Sequence, residues 1–234
     1  MKIEKSLSVI VPLYNKEIFI KSTLDNISLL LKDIDYEIIV VENGSTDNSK
    51  KVLSSYINSN ENIPLVSISS KKGLGNALKA GIKASKKDFV MCIPADFTSG
   101  KSEIEFFLTN SDQDYVIGSR ALTSNIARSK NRIFVSYVLY ILNRFILNIP
   151  IKDTQFTFII RTNLANQIIL SCQSTGFYIT AEMIYFALKK NIQILEIPVL
   201  LTEDKRNKTT IKFFSDGLNV FSDILRIFIN HGQL

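Results

Sequence analysis

Residues 89–100 read FVMCIPADFTSG: an apolar run of strand length, then the lone carboxylate Asp96, then a polar turn. Phe89 to Ile93 read as a buried strand, which sets Asp96 just past its carboxyl end. Open α/β sheets bind ligands at that edge, where loop amides and helix N-termini converge. A carboxylate held there can take a divalent cation, Mg²⁺ or Mn²⁺, as a hard oxygen ligand, and the cation can neutralise a diphosphate. The same Asp96 also reads as the cap of a helix beginning near Lys101, so this stretch alone leaves both readings open.

Upstream, Leu7 to Val11 form a first apolar run, with Pro12 expected to end it, and residues 17–32 carry apolar side chains at helical spacing. Tyr36 to Val41 make a second strand, cut by the turn sequence ENGSTDNS, and Ser49 to Ile57 read as a helix opening behind Asp47 or Asn48. Leu65 to Ile68 form a short third strand. Gly73 and Gly75 then interrupt the chain, and Asn76 to Ser85 resume as a helix. Strands alternating with helices predict a parallel sheet with right-handed crossovers and helices on both faces.

Downstream of Gly100 the spacing predicts strands over 115–118, 156–160 and 192–201, and helices over 133–147, 163–171, 179–190 and 212–230. No repeat, low-complexity tract or linker-like shift in composition divides the chain, so residues 1–234 are expected to form one unit. At 234 residues, 46% hydrophobic and 21% charged, the chain is long enough to bury a substantial core and is not disordered. Cys92 and Cys172 each lie in apolar sequence and read as reduced core residues. A single histidine, His231, rules against a Ser/His/Asp triad and a histidine zinc site.

The N-terminal MKIEKSLSVIVPLYN enters a strand at once, without a signal-peptide pattern, and no apolar stretch reaches the roughly 18 residues of a membrane span. A cytoplasmic protein is expected. The net charge of +6 favours an anionic partner such as a nucleotide, a lipid phosphate or a membrane surface. Nucleic acid is not expected, since the basic residues form no continuous arm and no nucleic-acid-binding motif is present.

The ordered series VIVPLYN at 9–15, IIVVENGSTD at 38–47, KKGLGNALKAGIKAS at 71–85, PAD at 94–96 and IGSR at 117–120 resembles the family 2 glycosyltransferases of GT-A fold. The likeness covers nearly the whole chain. KDTQFTF at 152–158, the helix containing Glu182 and IPVLLTE at 197–203 look most like the polyprenyl-phosphate sugar synthases, nearest the dolichyl-phosphate glucosyltransferase type. That type reads Asp-Thr-Gln, a variable residue, Gly, Phe; Asp153, Thr154, Gln155 and Phe158 match, while Thr157 stands where Gly is expected.

The resemblance implies an inverting transferase with a nucleotide-sugar donor and a divalent cation, its donor half at 1–100 and its acceptor half at 101–234. Pro12, Leu13, Tyr14 and Asn15 would pack against base and ribose, and Glu42 would accept a hydrogen bond from uracil or ribose. Glu42 and Asn43 replace the usual Asp pair, and the alternative for this turn, Gly44 included, is an Asx-turn and helix cap without a ligand. Lys72 and Gly73 precede a helix whose amides could approach a phosphate. The family carries Asp-x-Asp where this chain has Pro94, Ala95 and Asp96, so one carboxylate is lost and the metal contact rests on Asp96.

Arg120, Arg128, Lys130 and Arg132 stand just before the apolar helix 133–147. Guanidinium groups suit phosphate oxygens, and the helix suits a membrane interface, so a lipid phosphate acceptor explains both; the alternative is a solvated charge run before a core helix. Lys205, Arg206 and Lys208 form a second basic loop where the synthases close over the donor. Asp153 reads as an acid beside the acceptor, either as a base or as an organiser of the arginines, or as a turn residue. The final helix reads as core packing, with a membrane or a partner chain, hence an oligomer, as alternatives.

UDP-glucose as donor and a polyprenyl phosphate as acceptor form the leading expectation, with the protein peripheral on the inner face of the membrane. A transferase acting on a glycan hydroxyl and a nucleotide-sugar-binding protein without turnover remain the competing readings. A dehydrogenase is disfavoured because the dinucleotide fingerprint is missing.

Overall fold

The computed structural model describes residues 5–96, 104, 109–110, 112–123, 130–154, 157–199 and 213–234, leaving aside the side chains of 130–132 and 213–216. Strand and helix alternate through β1 (Leu7–Leu13), α1 (Ile20–Leu30), β2 (Tyr36–Glu42), α2 (Ser49–Ser59), β3 (Leu65–Ser69), α3 (Leu74–Ala84) and β4 (Phe89–Cys92). Then come β5 (Tyr115–Ser119), a 3-10 turn (Arg120–Leu122), α4 (Lys130–Ile146), β6 (Phe158–Arg161), α5 (Thr162–Ile169), α6 (Ile179–Lys189), β7 (Ile194–Pro198) and α7 (Phe213–His231).

The seven strands form one sheet in the order β3-β2-β1-β4-β6-β5-β7. It is mostly parallel, as expected, except that β6 runs antiparallel to both β4 and β5. A strand as short as Phe-Ile-Ile-Arg looks the same in either direction, so the sequence carries no sign of this reversal.

Successive side chains of β1 and β2 enter opposite faces, as the two-residue strand period requires. Ile10, Ile39 and Val41 join Ala77, Leu78 and Ile82 of α3 on one face. Val9, Val11, Ile38 and Val40 join Ile20, Leu24 and Ile27 of α1 and Leu53 and Tyr56 of α2 on the other. The chain steps outward from β1 to β3 with its helices on one face, then returns to β4 with α3 on the opposite face. A fixed crossover hand demands that change of face, and it makes the gap between β1 and β4 the switch point of the sheet.

Pro12 does not end β1. The Leu13 carbonyl accepts from Asn43 on the β2 side and the Ile10 carbonyl from Ile93 on the β4 side, so Pro12, two residues after Ile10, faces β4. The β1–β4 ladder stops at Ile10 and Cys92, and the donor that proline lacks has no ladder partner to lose. α3 also begins two residues before the sequence suggests, with Gly75 inside its first turn.

The two long apolar helices are only half absorbed by the core. On α4, Leu139, Leu142 and Ile146 pack inward while Phe134, Tyr137 and Phe145 stay exposed. On α7, Ile224 and Ile227 are buried, but Leu218, Phe221, Leu225, Phe228 and Ile229 are exposed, so core packing accounts for one side of that helix alone. No helix among the described residues is long and apolar enough to cross a membrane. Cys92 and Cys172 are free and buried.

The contact between α3 and β1 leaves no room at Gly81. A Cβ there would stand 2.6 Å from Ile10 Cγ2 and 2.9 Å from Ile10 Cδ1. Gly81→Ala should therefore lower the unfolding free energy by about 1–3 kcal/mol despite alanine's better helix propensity, read as a lower urea midpoint at unchanged slope.

Candidate functional site

The register of the sheet fixes what meets at its rim. Leu13 pairs with Glu42, so β1 and β2 end level. Cys92 of β4 and Ile117 of β5 both pair with Phe158, so those strands also share a height. Asp96 lies four residues beyond Cys92, and Arg120 three beyond Ile117. Because β6 is antiparallel, its entry, and with it Asp153, opens on this same rim. The reversal that sequence reading missed is what brings Asp153 to the site.

Two loops at the ends of β1 and β2 are stitched together. Asn15, at a left-handed φ of 52°, donates its N–H to Ser45 Oγ at 3.2 Å, and its Oδ1 accepts the Thr46 N–H at 2.8 Å. The Lys16 N–H donates to Ser49 Oγ at 2.9 Å, and Asp47 accepts from the N–H groups of Glu17 and Ser49. Asp47, just before the Asn48 N-cap, thus ties the first residue of α2 to the first loop.

Glu42 is buried and closes its own turn, accepting the Ser45 N–H at 2.5 Å, with the Lys50 ammonium 3.3 Å away. Burial raises its pKa, but hydrogen bonds from the Ser45 N–H, Lys50 and the Gly44 N–H outweigh burial and hold it below the usual Glu value. Asn43 is structural, its Oδ1 accepting the Gly73 N–H at 2.7 Å.

The Gly73 loop differs from the expected phosphate cradle. Besides that bond to Asn43, the Gly75 and Asn76 N–H groups donate to the Thr175 carbonyl. Two of the first three amides of α3 are therefore already engaged inside the chain. Gly73, at φ +124°, would place a Cβ 2.2 Å from that carbonyl oxygen, so the close backbone approach requires glycine. Lys72 instead turns outward, its Nζ 4.7 Å from the centre of the Tyr14 ring. Gly44, at φ +79°, lies against Lys72.

The Pro94–Ala95–Asp96 segment is anchored at both ends. Ile93 donates its N–H to Ile10, and Thr23 of α1 donates its hydroxyl to the Ala95 carbonyl at 2.9 Å. Asp96 then meets Lys16, with Nζ 2.6 Å from Oδ2, the lysine side chain 15% and the aspartate side chain 18% exposed. The pair spans the switch point between β1 and β4. Lys16 went unnoticed in the sequence, where a lysine after a strand reads as solvated.

Arg120 and Asp153 form a bidentate pair. Arg120 Nε donates to Oδ2 at 2.7 Å and Nη2 to Oδ1 at 3.0 Å, while the Arg120 N–H adds a third contact at 3.2 Å. Glu196 holds the loop from below by accepting the Lys152 and Asp153 N–H groups. Asp153 is 7% exposed and organises an arginine; it is not a free turn residue. Arg128, Gln155, Phe156, Lys205, Arg206 and Lys208 lie outside the described residues, as does the side chain of Arg132.

A sheet of this order with paired rim loops is the GT-A fold. A solved glucosyl-3-phosphoglycerate synthase from Mycobacterium tuberculosis, in complex with Mn²⁺, UDP and phosphoglyceric acid, matches with a TM-score of 0.70 over 100% of this chain and 81% of its own, at 16% identity. Residues 8–168 match the model of glycosyl transferase family 2, and the chain belongs to that family. It is therefore a glycosyltransferase. A dolichyl-phosphate beta-glucosyltransferase from Dictyostelium discoideum is 32% identical over 94% of this chain and 73% of its own length, and one from Trichomonas vaginalis is 28% identical over 96% and 73%. A poly-beta-1,6-N-acetyl-D-glucosamine synthase from Staphylococcus aureus is 31% identical over 52% of this chain and 28% of its own length.

Glu42→Gln should lower stability at pH 7 by about 1–3 kcal/mol, because the Ser45 N–H loses a charged acceptor. The folded-state pKa of Glu42 is depressed, so the wild-type advantage is whole above the usual Glu value and disappears as pH falls through the lowered folded value. Urea unfolding of both proteins at pH 7 and pH 3 checks this, the two curves converging at the lower pH.

Proposed function

We propose that the protein moves a hexose from a nucleotide sugar, UDP-glucose or a close analogue, to a polyprenyl phosphate, in one displacement that inverts the anomeric centre. The observation that carries this reading is the rim itself, where the Lys16–Asp96 pair at the switch point shares one edge with the Arg120–Asp153 pair. The first suits a diphosphate and the second an anionic acceptor. The breadth of the likeness agrees, since the dolichyl-phosphate relative covers 94% of this chain and the polysaccharide synthase 52%.

In this reading Tyr14, Asn15, Glu42 and Gly44 form the wall beside base and ribose, and Lys72 adds charge toward the phosphates. A divalent ion shared with a diphosphate needs as few as one or two protein carboxylates. Asp96 supplies one at the end of β4, but its Oδ2 already lies 2.6 Å from the Lys16 ammonium and Pro94 brings no second, so the residues present fit such an ion poorly.

Arg120 holds the acceptor phosphate, with Arg128 and Arg132 as further candidates. Both Asp153 oxygens serve Arg120, so Asp153 acts as its organiser. A phosphate monoester is already anionic at neutral pH, and orientation with charge stabilisation supplies the main catalytic effect. The exposed face of α4, with Phe134, Tyr137 and Phe145, would rest on the bilayer that carries the lipid.

Incubation with UDP-glucose, Mg²⁺ and a polyprenyl phosphate should yield a lipid-linked hexose by mass spectrometry. Arg120→Lys keeps the charge but not the bidentate fork, and should cost about 100-fold in kcat/KM. Transfer to a glycan hydroxyl in place of the lipid would move the assignment to polysaccharide assembly. The absence of both transfer and donor hydrolysis across a panel of nucleotide sugars would refute the proposal.

A further inference from the structure

We propose that the Lys16 ammonium, seated on Asp96, is the cation that receives the donor's diphosphate, so that this protein binds a nucleoside diphosphate without a divalent metal. The inference rests on the donor site described above and concerns which cation serves it.

Lys16 is fixed rather than trailing in solvent. Its own N–H is held by Ser49, and the preceding residue is locked in a left-handed turn. Its ammonium lies between the Asp96 carboxylate at 2.6 Å and the Phe19 ring, whose centre is 5.6 Å away. An ammonium carries three N–H donors and can serve a carboxylate and phosphate oxygens together. A divalent ion approaching Asp96 Oδ2 meets a positive charge already at hydrogen-bond distance, and must displace it or bear the repulsion.

The surrounding charges point the same way. Pro94 contributes no carboxylate, and no three His, Cys, Asp or Glu side chains among the described residues are grouped to hold a metal ion. Lys72, stacked on Tyr14, brings a second ammonium to the loop that follows β1. Two lysines flanking that loop supply the positive charge that a diphosphate needs.

Calorimetric titration with UDP, in EDTA and in Mg²⁺, tests the idea on the wild type, Lys16→Met and Lys16→Arg. The wild-type dissociation constants should agree within about 3-fold between the two buffers. Lys16→Met should weaken UDP binding in EDTA by about 10-fold or more and regain it in Mg²⁺, because the vacated Asp96 becomes available to the ion. Lys16→Arg should retain metal-free binding. A wild type that binds UDP only with Mg²⁺, or a folded Lys16→Met that binds UDP in EDTA as the wild type does, would overturn the proposal while leaving the transferase assignment standing. Failure of the wild type to bind UDP in either buffer would overturn both. The wild-type comparison decides even if Lys16→Met does not fold.

Discussion

The parallel register of β2, β1 and β4 is the constraint on which the rest depends. It ends β1 and β2 level at Leu13 and Glu42 and stops β4 short, so that Pro94, Ala95 and Asp96 reach the rim as a loop rather than as strand. Parallel pairing buries these strands on both faces, which is why β1 is fully apolar in its middle. A rim built this way gathers loop ends from distant parts of the chain at one edge. Loss of register between β1 and β4 would separate Lys16 from Asp96 at once.

Behind the rim, a chain of hydrogen bonds carries rigidity inward. Buried Glu182 on α6 accepts the Gln173 and Ser174 N–H groups and pairs with Arg226 of α7 at 3.0 Å. The loop so held presents the Thr175 carbonyl to Gly75 and Asn76, and Gly73 then reaches Asn43 at the end of β2. A buried carboxylate is tolerable when its oxygens are satisfied in this way, and its removal would leave orphaned amides beneath the Gly73 loop. A second buried link joins Tyr178 to Asn143 of α4, which lies 3.4 Å from Thr154, the residue after Asp153. The half-exposed helix α4 is thus tied to the rim.

Much of this was legible in the sequence because strand ends announce themselves. The apolar run to Ile93 placed Asp96 at a carboxyl edge, and alternating strands and helices gave the two-faced sheet. What stayed hidden depends on partners far apart in the chain. Lys16 and Asp96 are separated by 80 positions and Glu182 and Arg226 by 44, and neither member of a pair looks unusual alone. Pro12 read as a strand end because the direction of its missing donor matters only once the short reach of β4 is known. The Gly73 amides read as phosphate donors because their occupant, Thr175, belongs to a loop about a hundred residues on.

The most direct measurement is a crystal structure of the protein with UDP bound. The account predicts the diphosphate at the gap between the ends of β1 and β4, within hydrogen-bond distance of Lys16, with the base beside Tyr14 and Glu42. Density for the nucleotide anywhere away from that rim, with the Lys16–Asp96 contact untouched, would contradict it.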